Sequence, residues 1–362
     1  MAKLLEDLSQ MFARRDKLSA FHEVFTDEVL RKIGDMAVAD DGLKVLSQML
    51  IGANEYLRID RFHLDRLLQF AINHGGLDND RHARLTRPGS YHSWKAVYNE
   101  LLVAYFFAKK FKLNVELIST PDQKGYGDFH LLHPDGPIMV EVKTPRGDDP
   151  NLQGPQKGAH WGWDEDLLKG AFLDGASQLQ RGNKNLIVIC TQLCAWIRDY
   201  KPLQRLLYGH DVLTAALDAK AGRIVGPVKS KFVASGELHR HEPSRFTRIS
   251  AIASFKEDII GMATFAKHIK PVQFTVLHNY HAICPISDKV FSSAEQFVPK
   301  REHKEFDHVK QNHSDIQFFL GNTGFSDFIL KVYNFLYKCF RKARRFYWRL
   351  RMRGIRKRLN KT

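Results

Sequence analysis

The fold is decided by two short stretches, Gly-Tyr-Gly-Asp-Phe-His-Leu-Leu at residues 125–132 and Ile-Met-Val-Glu-Val-Lys-Thr-Pro at residues 138–145. Both are predicted to be strands, because they are short, mostly apolar and separated by a turn of Pro, Asp and Gly residues. A hairpin through that turn would bring Asp128 beside Glu141. Two carboxylates and the ammonium of Lys143 are costly to bury without partners. The hairpin is therefore the first place to look for a functional site.

The second strand separates polar from apolar side chains. Because side chains alternate between the two faces of a strand, Glu141 and Lys143 share one face, while Val140 and Val142 point to the other face and into a core. Oxygens converging from Asp128, Glu141 and the backbone carbonyl of Val142 suit Mg²⁺, which prefers hard oxygen ligands and keeps several waters. The pattern thus favours a magnesium site on the hairpin.

The segments around the hairpin predict an α/β fold. In chain order they are a helix at 91–111, a strand at 114–120, the hairpin, a helix at 165–181, and strands at 185–190, 249–255 and 272–278. The run at 185–190 is continuously apolar, which is typical of a strand covered on both faces. This order predicts a mixed sheet between helical layers.

The pairing of Asp128 with Glu141-Val142-Lys143 on the next strand resembles the PD-(D/E)XK, or restriction-endonuclease-like, nuclease superfamily. The resemblance covers residues 91–190 and extends to about 286. It implies a three-layer α/β/α core with a mixed central sheet, and metal-dependent hydrolysis of phosphodiester bonds, with DNA as the expected substrate. The chain departs from the family pattern at Gly127, where the family has proline.

The resemblance also implies a role for each matching residue. Asp128 and Glu141 would hold Mg²⁺, with Mn²⁺ as the alternative ion, and the metal would activate a water. Lys143 would orient that water and offset charge on the phosphoryl oxygens. Glu100 matches the acid that the first helix often brings, binding the metal through water. Gln178 resembles the polar residue that the later helix places near the site. The alternative is a surface hairpin with a Glu–Lys cross-strand pair.

The rest of the chain divides by composition. Residues 1–85 are predicted to be a helical N-terminal module, followed by a polar linker at 77–90 that leads into the nuclease-like domain at 91–286. Residues 287–330 are weakly patterned, and the sequence assigns them no role. Nothing in the N-terminal helices indicates what they recognise.

The positive charge is concentrated in the last segment. The formal net charge is +15, and residues 331–362 carry 13 Lys and Arg with no Asp or Glu. These residues are predicted to form a basic amphipathic helix. It would bind nucleic-acid phosphates, with an anionic membrane surface or a solvated end as the alternatives. Two rival functions follow: a non-catalytic nucleic-acid-binding protein on a nuclease fold, and a membrane-surface protein acting through its tail.

The cysteines and the chain start indicate a cytoplasmic protein. The four cysteines have neither zinc nor disulfide spacing, which a reducing compartment explains. Residues 1–7 lack the apolar segment of a signal peptide. The sequence has no run of the roughly 20 apolar residues that would span a bilayer.

Overall fold

The computed structural model describes most of the chain up to residue 319. The described residues are 18–37, 43–44, 46–47, 50, 55–118, 127–145, 163–190, 201–218, 223–233, 236–238, 245–257, 269–279, 281–300, 305–309 and 316–319. The chain divides into one compact unit of Met1–Asp258 and Pro271–Ile316, and a second of Ile259–Lys270 and Gln317–Thr362. The basic tail predicted at 331–362 lies outside the described residues.

The elements predicted between residues 91 and 278 occur in the predicted order, together with helices and strands that were not predicted. The helices are α1 (Ser19–Val24), α2 (Asp27–Met36), α3 (Glu55–Asn73), α4 (Asn79–Thr86), α5 (Tyr91–Lys110), α6 (Trp163–Gln178) and α7 (Lys201–Tyr208). The strands are β1 (Asn114–Leu117), β2 (Phe129–Leu132), β3 (Ile138–Lys143), β4 (Lys184–Cys190), β5 (His210–Asp218), β6 (Arg223–Val233), β7 (Ala251–Glu257), β8 (Ile269–His278), β9 (Glu295–Lys300), β10 (Glu305–Val309) and β11 (Ile316–Phe319).

The strands form a mixed sheet in the order β1-β2-β3-β4-β7-β8-β9-β10. Strand β2 pairs antiparallel with both β1 and β3. Strand β4 pairs parallel with both β3 and β7. The parallel step from β3 to β4 needs a crossover, and α6 lies within it. Strands β5 and β6 pair separately as a hairpin. The predicted mixed α/β sheet is therefore confirmed.

Helix α5 covers one face of the sheet. It begins where the hydroxyl of Ser90 accepts a hydrogen bond from the amide of Ser93 at 3.1 Å. Its Phe106 ring lies 5.2 Å from that of Phe255 on β7 and 5.3 Å from that of Phe274 on β8, between centroids. Such fully buried rings dominate the core, and truncating one to alanine costs about 3–5 kcal/mol.

Helix α6 covers the opposite face. Its Leu168 and Phe172 belong to one buried cluster with Ile187 and Ile189 of β4. Ile189 is adjacent to Cys190, whose partner on β7 is Phe255. Because neighbouring positions alternate between faces, Ile189 and the phenylalanine cluster lie on opposite sides of the sheet. Helices thus pack on both faces.

Two segments differ from expectation. Helix α4 occupies part of the predicted polar linker: Asp78 caps it by accepting from the amide of Arg81 at 2.7 Å, and Leu85 is buried. An eight-residue helix is marginal alone, so tertiary contacts stabilise it. Residues 287–330 were assigned no role from the sequence. In this segment strands β9 and β10 extend the sheet, and a 3-10 helix (Asp288–Phe291) precedes them. Whether residues 1–85 form a separate module stays a prediction.

Candidate functional site

Asp128 and Glu141 meet on adjacent antiparallel strands. Phe129 pairs with Val140, so Asp128, one residue earlier, lies opposite Glu141. The Asp128 amide donates to the carbonyl of Val140 at 2.8 Å, and the amide of Val142 donates to Asp128 Oδ2 at 2.6 Å. These bonds at both ends of the residue fix the carboxylate at the start of β2.

Glycine is required immediately before Asp128. Gly127 has a φ of +70°, a region that L side chains rarely adopt. A Cβ there would lie 2.6 Å from the carbonyl oxygen of Val140. Proline, whose ring holds φ near −65°, cannot take this conformation. The departure from the family pattern at Gly127 thus reflects how closely this chain passes β3 as it enters β2.

Lys143 lies between two carboxylates. Its Nζ is 2.9 Å from Oε1 of Glu141 and 2.6 Å from Oδ2 of Asp174 on α6. Glu141 is buried, whereas the Asp174 side chain is 59% exposed. Asp174 was not among the site residues predicted from the sequence. The available signal was its spacing: it lies four residues before Gln178, and therefore on the same face of the helix.

The close approach of α6 depends on Gly175. A Cβ at this position would lie 3.1 Å from Cγ2 of Ile187 and 3.3 Å from Cγ of Lys143. The helix therefore passes close to the lysine stem. The amide of Gln178, one turn later, donates to both carboxylate oxygens of Asp174 at 3.4 Å. Among the described residues, Gln178 is thus linked to Lys143 through Asp174 and has no hydrogen bond to Asp128 or Glu141.

Glu100 lies in the same charged neighbourhood but has protein partners. Its Oε2 accepts from Nε of Arg81 at 3.1 Å, and its Oε1 accepts from Nη2 of Arg84 at 3.3 Å. Its charge helps to raise the pKa of Asp128 and of Glu141, which indicates proximity. Each oxygen already accepts from a guanidinium group, so the charge of Glu100 has protein partners, and a metal-bound water would have to use a remaining lone pair.

Arg81 is a buried connector that sequence reasoning missed. Its guanidinium donates to the backbone carbonyl of Asp128 at 2.9 Å and to that of Ile118 at 2.7 Å, besides Glu100 and Asp78. It therefore joins α4 and α5 to the end of β1 and the start of β2. An arginine in a short polar run gives no sign of burial, so only the three-dimensional arrangement identifies it.

The hairpin acids are short of positive charge. Burial, then the charges of Glu141 and Glu100, raise the pKa of Asp128 well above its ordinary value, against the Val142 amide and Arg81. Burial likewise raises the pKa of Glu141, against the attraction of Lys143. Burial lowers the pKa of Lys143, but Glu141 and Asp174 outweigh it, so that pKa is raised. The site favours an added proton or cation.

The donor set is compatible with a hard divalent ion. Asp128 and Glu141 supply carboxylate oxygens from facing positions, and Mg²⁺ commonly binds through one or two carboxylates with water completing its shell. Among the described residues, no group of three or more His, Cys, Asp or Glu is arranged to hold a metal. Within the described part of the chain, the carboxylate ligands would thus be these two acids, with the Val142 carbonyl remaining a prediction.

Comparisons with known proteins add no relative. No protein-family model, curated protein or solved structure matches the chain. Of the helices that the structure describes, none has both the length and the apolarity to cross a membrane. Inference about function therefore depends on the geometry and charge of the residues themselves.

Proposed function

We propose that the chain is a Mg²⁺-dependent nuclease that hydrolyses phosphodiester bonds, with DNA as the expected substrate. The observation that carries the proposal is the position of Asp128 opposite Glu141, with Lys143 two residues further on the same strand face. One half-buried acid, Asp128, one buried acid, Glu141, and one ammonium match the residue types needed to bind a metal and a phosphate at one point.

The order of elements supports a restriction-endonuclease-like core. Helix α5 precedes the antiparallel strands β1, β2 and β3, and α6 then leads to the parallel strand β4. Helices pack on both faces of the sheet. This is the arrangement of helix, hairpin and crossover that the resemblance implies, with the candidate residues on β2 and β3.

Each residue would have a distinct part in the reaction. Asp128 and Glu141 would hold Mg²⁺, which supplies Lewis-acid polarisation of the phosphate and a more acidic water. Lys143 would donate a hydrogen bond to the water or a phosphoryl oxygen and offset charge that develops there. Asp174 limits the motion of the ammonium from the solvent side. The amide of Val142 keeps the Asp128 carboxylate oriented.

A cleavage assay tests the proposal. Purified full-length protein is incubated with linear, circular and single-stranded DNA in Mg²⁺, in Mn²⁺ and in EDTA. Cleavage is expected with metal and should be lost in Asp128→Asn and Lys143→Met. Asp135→Asn, which makes the same charge change at an exposed position of the hairpin turn, should cleave normally. Absence of metal-dependent cleavage on every substrate, or equal activity in Asp128→Asn, would reject the proposal.

A second candidate is a non-catalytic nucleic-acid-binding protein on the same fold. The observation in its favour is that protein groups already pair the flanking charges, with Glu100 between two arginines and Lys143 between two carboxylates. This alternative predicts nucleic-acid binding that is unchanged by Asp128→Asn and no cleavage under any metal condition. The membrane-surface alternative depends on residues 331–362 and is tested by binding to anionic vesicles.

A further inference from the structure

Arg81 and Arg84, one turn apart on α4, differ in how many hydrogen bonds their guanidinium groups donate. Arg81 has a 6% exposed side chain and donates five hydrogen bonds of 2.7–3.3 Å. Arg84 is 31% exposed and, among the described residues, donates two long bonds, at 3.4 Å to Asp80 and 3.3 Å to Glu100. A guanidinium has five N–H groups, so Arg84 keeps donors for a further acceptor.

Arg84 is linked to the acidic site through Glu100 and is partly exposed. Its Nη2 contacts Glu100, the acid whose charge acts on Asp128 and Glu141. Burial disfavours the charged guanidinium, but Glu100, Asp80 and Asp128 outweigh it and raise the pKa of Arg84. The group is therefore a permanent cation, partly open to solvent, within the electrostatic reach of Asp128.

A partly exposed guanidinium group such as that of Arg84 is suited to binding phosphate. Guanidinium groups bind phosphate oxygens in a bidentate geometry, with stronger bonds than those between neutral groups. The two existing partners of Arg84 hold it at long distances, and one of them, Asp80, is 43% exposed. An incoming phosphodiester could therefore take N–H groups of Arg84 without breaking the buried bonds of Arg81.

From this geometry we infer that Arg84 binds a phosphate of the nucleic-acid strand as it enters the site, while Arg81 anchors the helix that presents it. The inference rests on the proposed function and adds α4, from the segment predicted to be a linker, to the substrate-binding surface. Arg84 is a binding residue in this account, and it takes no part in holding the metal.

The test is nucleic-acid binding without turnover. Fluorescence anisotropy of a labelled single-stranded and a labelled duplex oligonucleotide is measured in EDTA with the full-length protein over a salt series. Arg84→Ala is expected to weaken binding about tenfold and to lower the slope of log K against log salt by about one, as for one lost phosphate contact. Arg84→Lys keeps the charge and should retain most of the salt slope.

Arg87→Ala is the matched control, because it removes the same charge from an exposed arginine at the end of the same helix. Equal losses in Arg84→Ala and Arg87→Ala would indicate general electrostatic attraction and overturn the inference. So would binding by Arg84→Ala at wild-type strength. Thermal unfolding checks that each variant is folded; if Arg84→Ala is not, Arg84→Lys and Arg84→Gln decide in its place.

The outcomes separate the two proposals. Wild-type protein that cleaves DNA while Arg84→Ala binds normally retains the proposed function and loses the inference. Wild-type protein that binds in an Arg84-dependent manner but never cleaves retains the inference and loses the nuclease activity. Wild-type protein that neither binds nor cleaves any substrate contradicts both.

Discussion

Glu100 and Glu141 are both buried near Asp128, yet their surroundings are opposite. Glu100 accepts from two arginines, one of them fully buried. Glu141 has a single lysine, which it shares with Asp174, and it faces a second acid in Asp128. In the Glu100 cluster (Glu100, Arg81 and Arg84) protein groups neutralise the acid. The hairpin cluster (Asp128, Glu141, Lys143 and Asp174) has more acid than base. An added cation would therefore offset charge in the second cluster more than in the first, so the surroundings of the two glutamates favour different partners.

The largest expected effect on stability comes from removing Arg81, the buried arginine that pairs with Glu100. Arg81→Ala leaves Glu100 with one arginine and removes a donor from the carbonyl of Ile118 and from that of Asp128, which keeps the Ile118 amide. Breaking a buried pair in this way costs about 3–5 kcal/mol. Urea unfolding measures the loss. Arg87→Ala should change stability by no more than about 0.5 kcal/mol; a similarly small loss in Arg81→Ala would show that the Glu100 cluster does not stabilise the fold.

The hairpin cluster should respond in the opposite way. Asp128→Asn removes a repelling charge and can keep the hydrogen bond from Val142, so without metal we expect unchanged or slightly higher stability. Cleavage should fall by about 10²–10³-fold or more, comparable to losing one strong electrostatic contact in a transition state. Unfolding and cleavage are measured on the same preparation. A large destabilisation of Asp128→Asn in EDTA would mean that the two clusters do not differ as described.

Magnesium and pH should act together on the hairpin acids. The pKa of Asp128 and that of Glu141 are raised in the folded protein. These carboxylates therefore bind protons more tightly in the folded state than in the unfolded state. Without metal, their contribution to stability therefore falls as pH rises from the unfolded carboxyl pKa through the higher folded values.

Added Mg²⁺ competes with those protons, so its stabilising effect should grow over the same pH range. At a hundredfold excess over Kd it would reach about 2.7 kcal/mol. Melting curves with Mg²⁺ and with EDTA between pH 4 and 8 measure the difference. The effect should be absent in Asp128→Asn and present in Asp135→Asn. A Mg²⁺ effect that does not change with pH would contradict ion binding at these carboxylates.

The smallest effect is expected at Asp174. Its side chain is mostly exposed, so Asp174→Asn should cost less than about 1 kcal/mol. Because Asp174 helps to raise the pKa of Lys143, the substitution should lower that pKa and move the alkaline limb of the pH–rate profile to lower pH. Ser177→Ala, on the exposed face of the same helix, should leave the profile unchanged.

Local pattern accounts for the elements that build the hairpin cluster. The strands at β2 and β3, the helices at α5 and α6 and the apolar strand β4 follow from periodicity and turn residues, which act over a few positions. Asp128 and Glu141 come from one hairpin, so their meeting follows from short-range pairing. Arg81 and Glu100 are 19 residues apart on different helices. No local pattern indicates that they pair, and helix α4 itself was predicted as a linker because its sequence is polar.

The mixed sheet, the glycine-led entry to β2 and the alternation that places Glu141 and Lys143 on one face follow from local sequence patterns. Which charges are paired depends on the tertiary packing, which joins Arg81 and Arg84 to Glu100, and Asp174 to Lys143. The physical reason is the distance along the chain over which each effect acts. Strand alternation and turn geometry are fixed by neighbouring residues, whereas the free energy of a buried charge depends on every group that packing brings within a few ångströms.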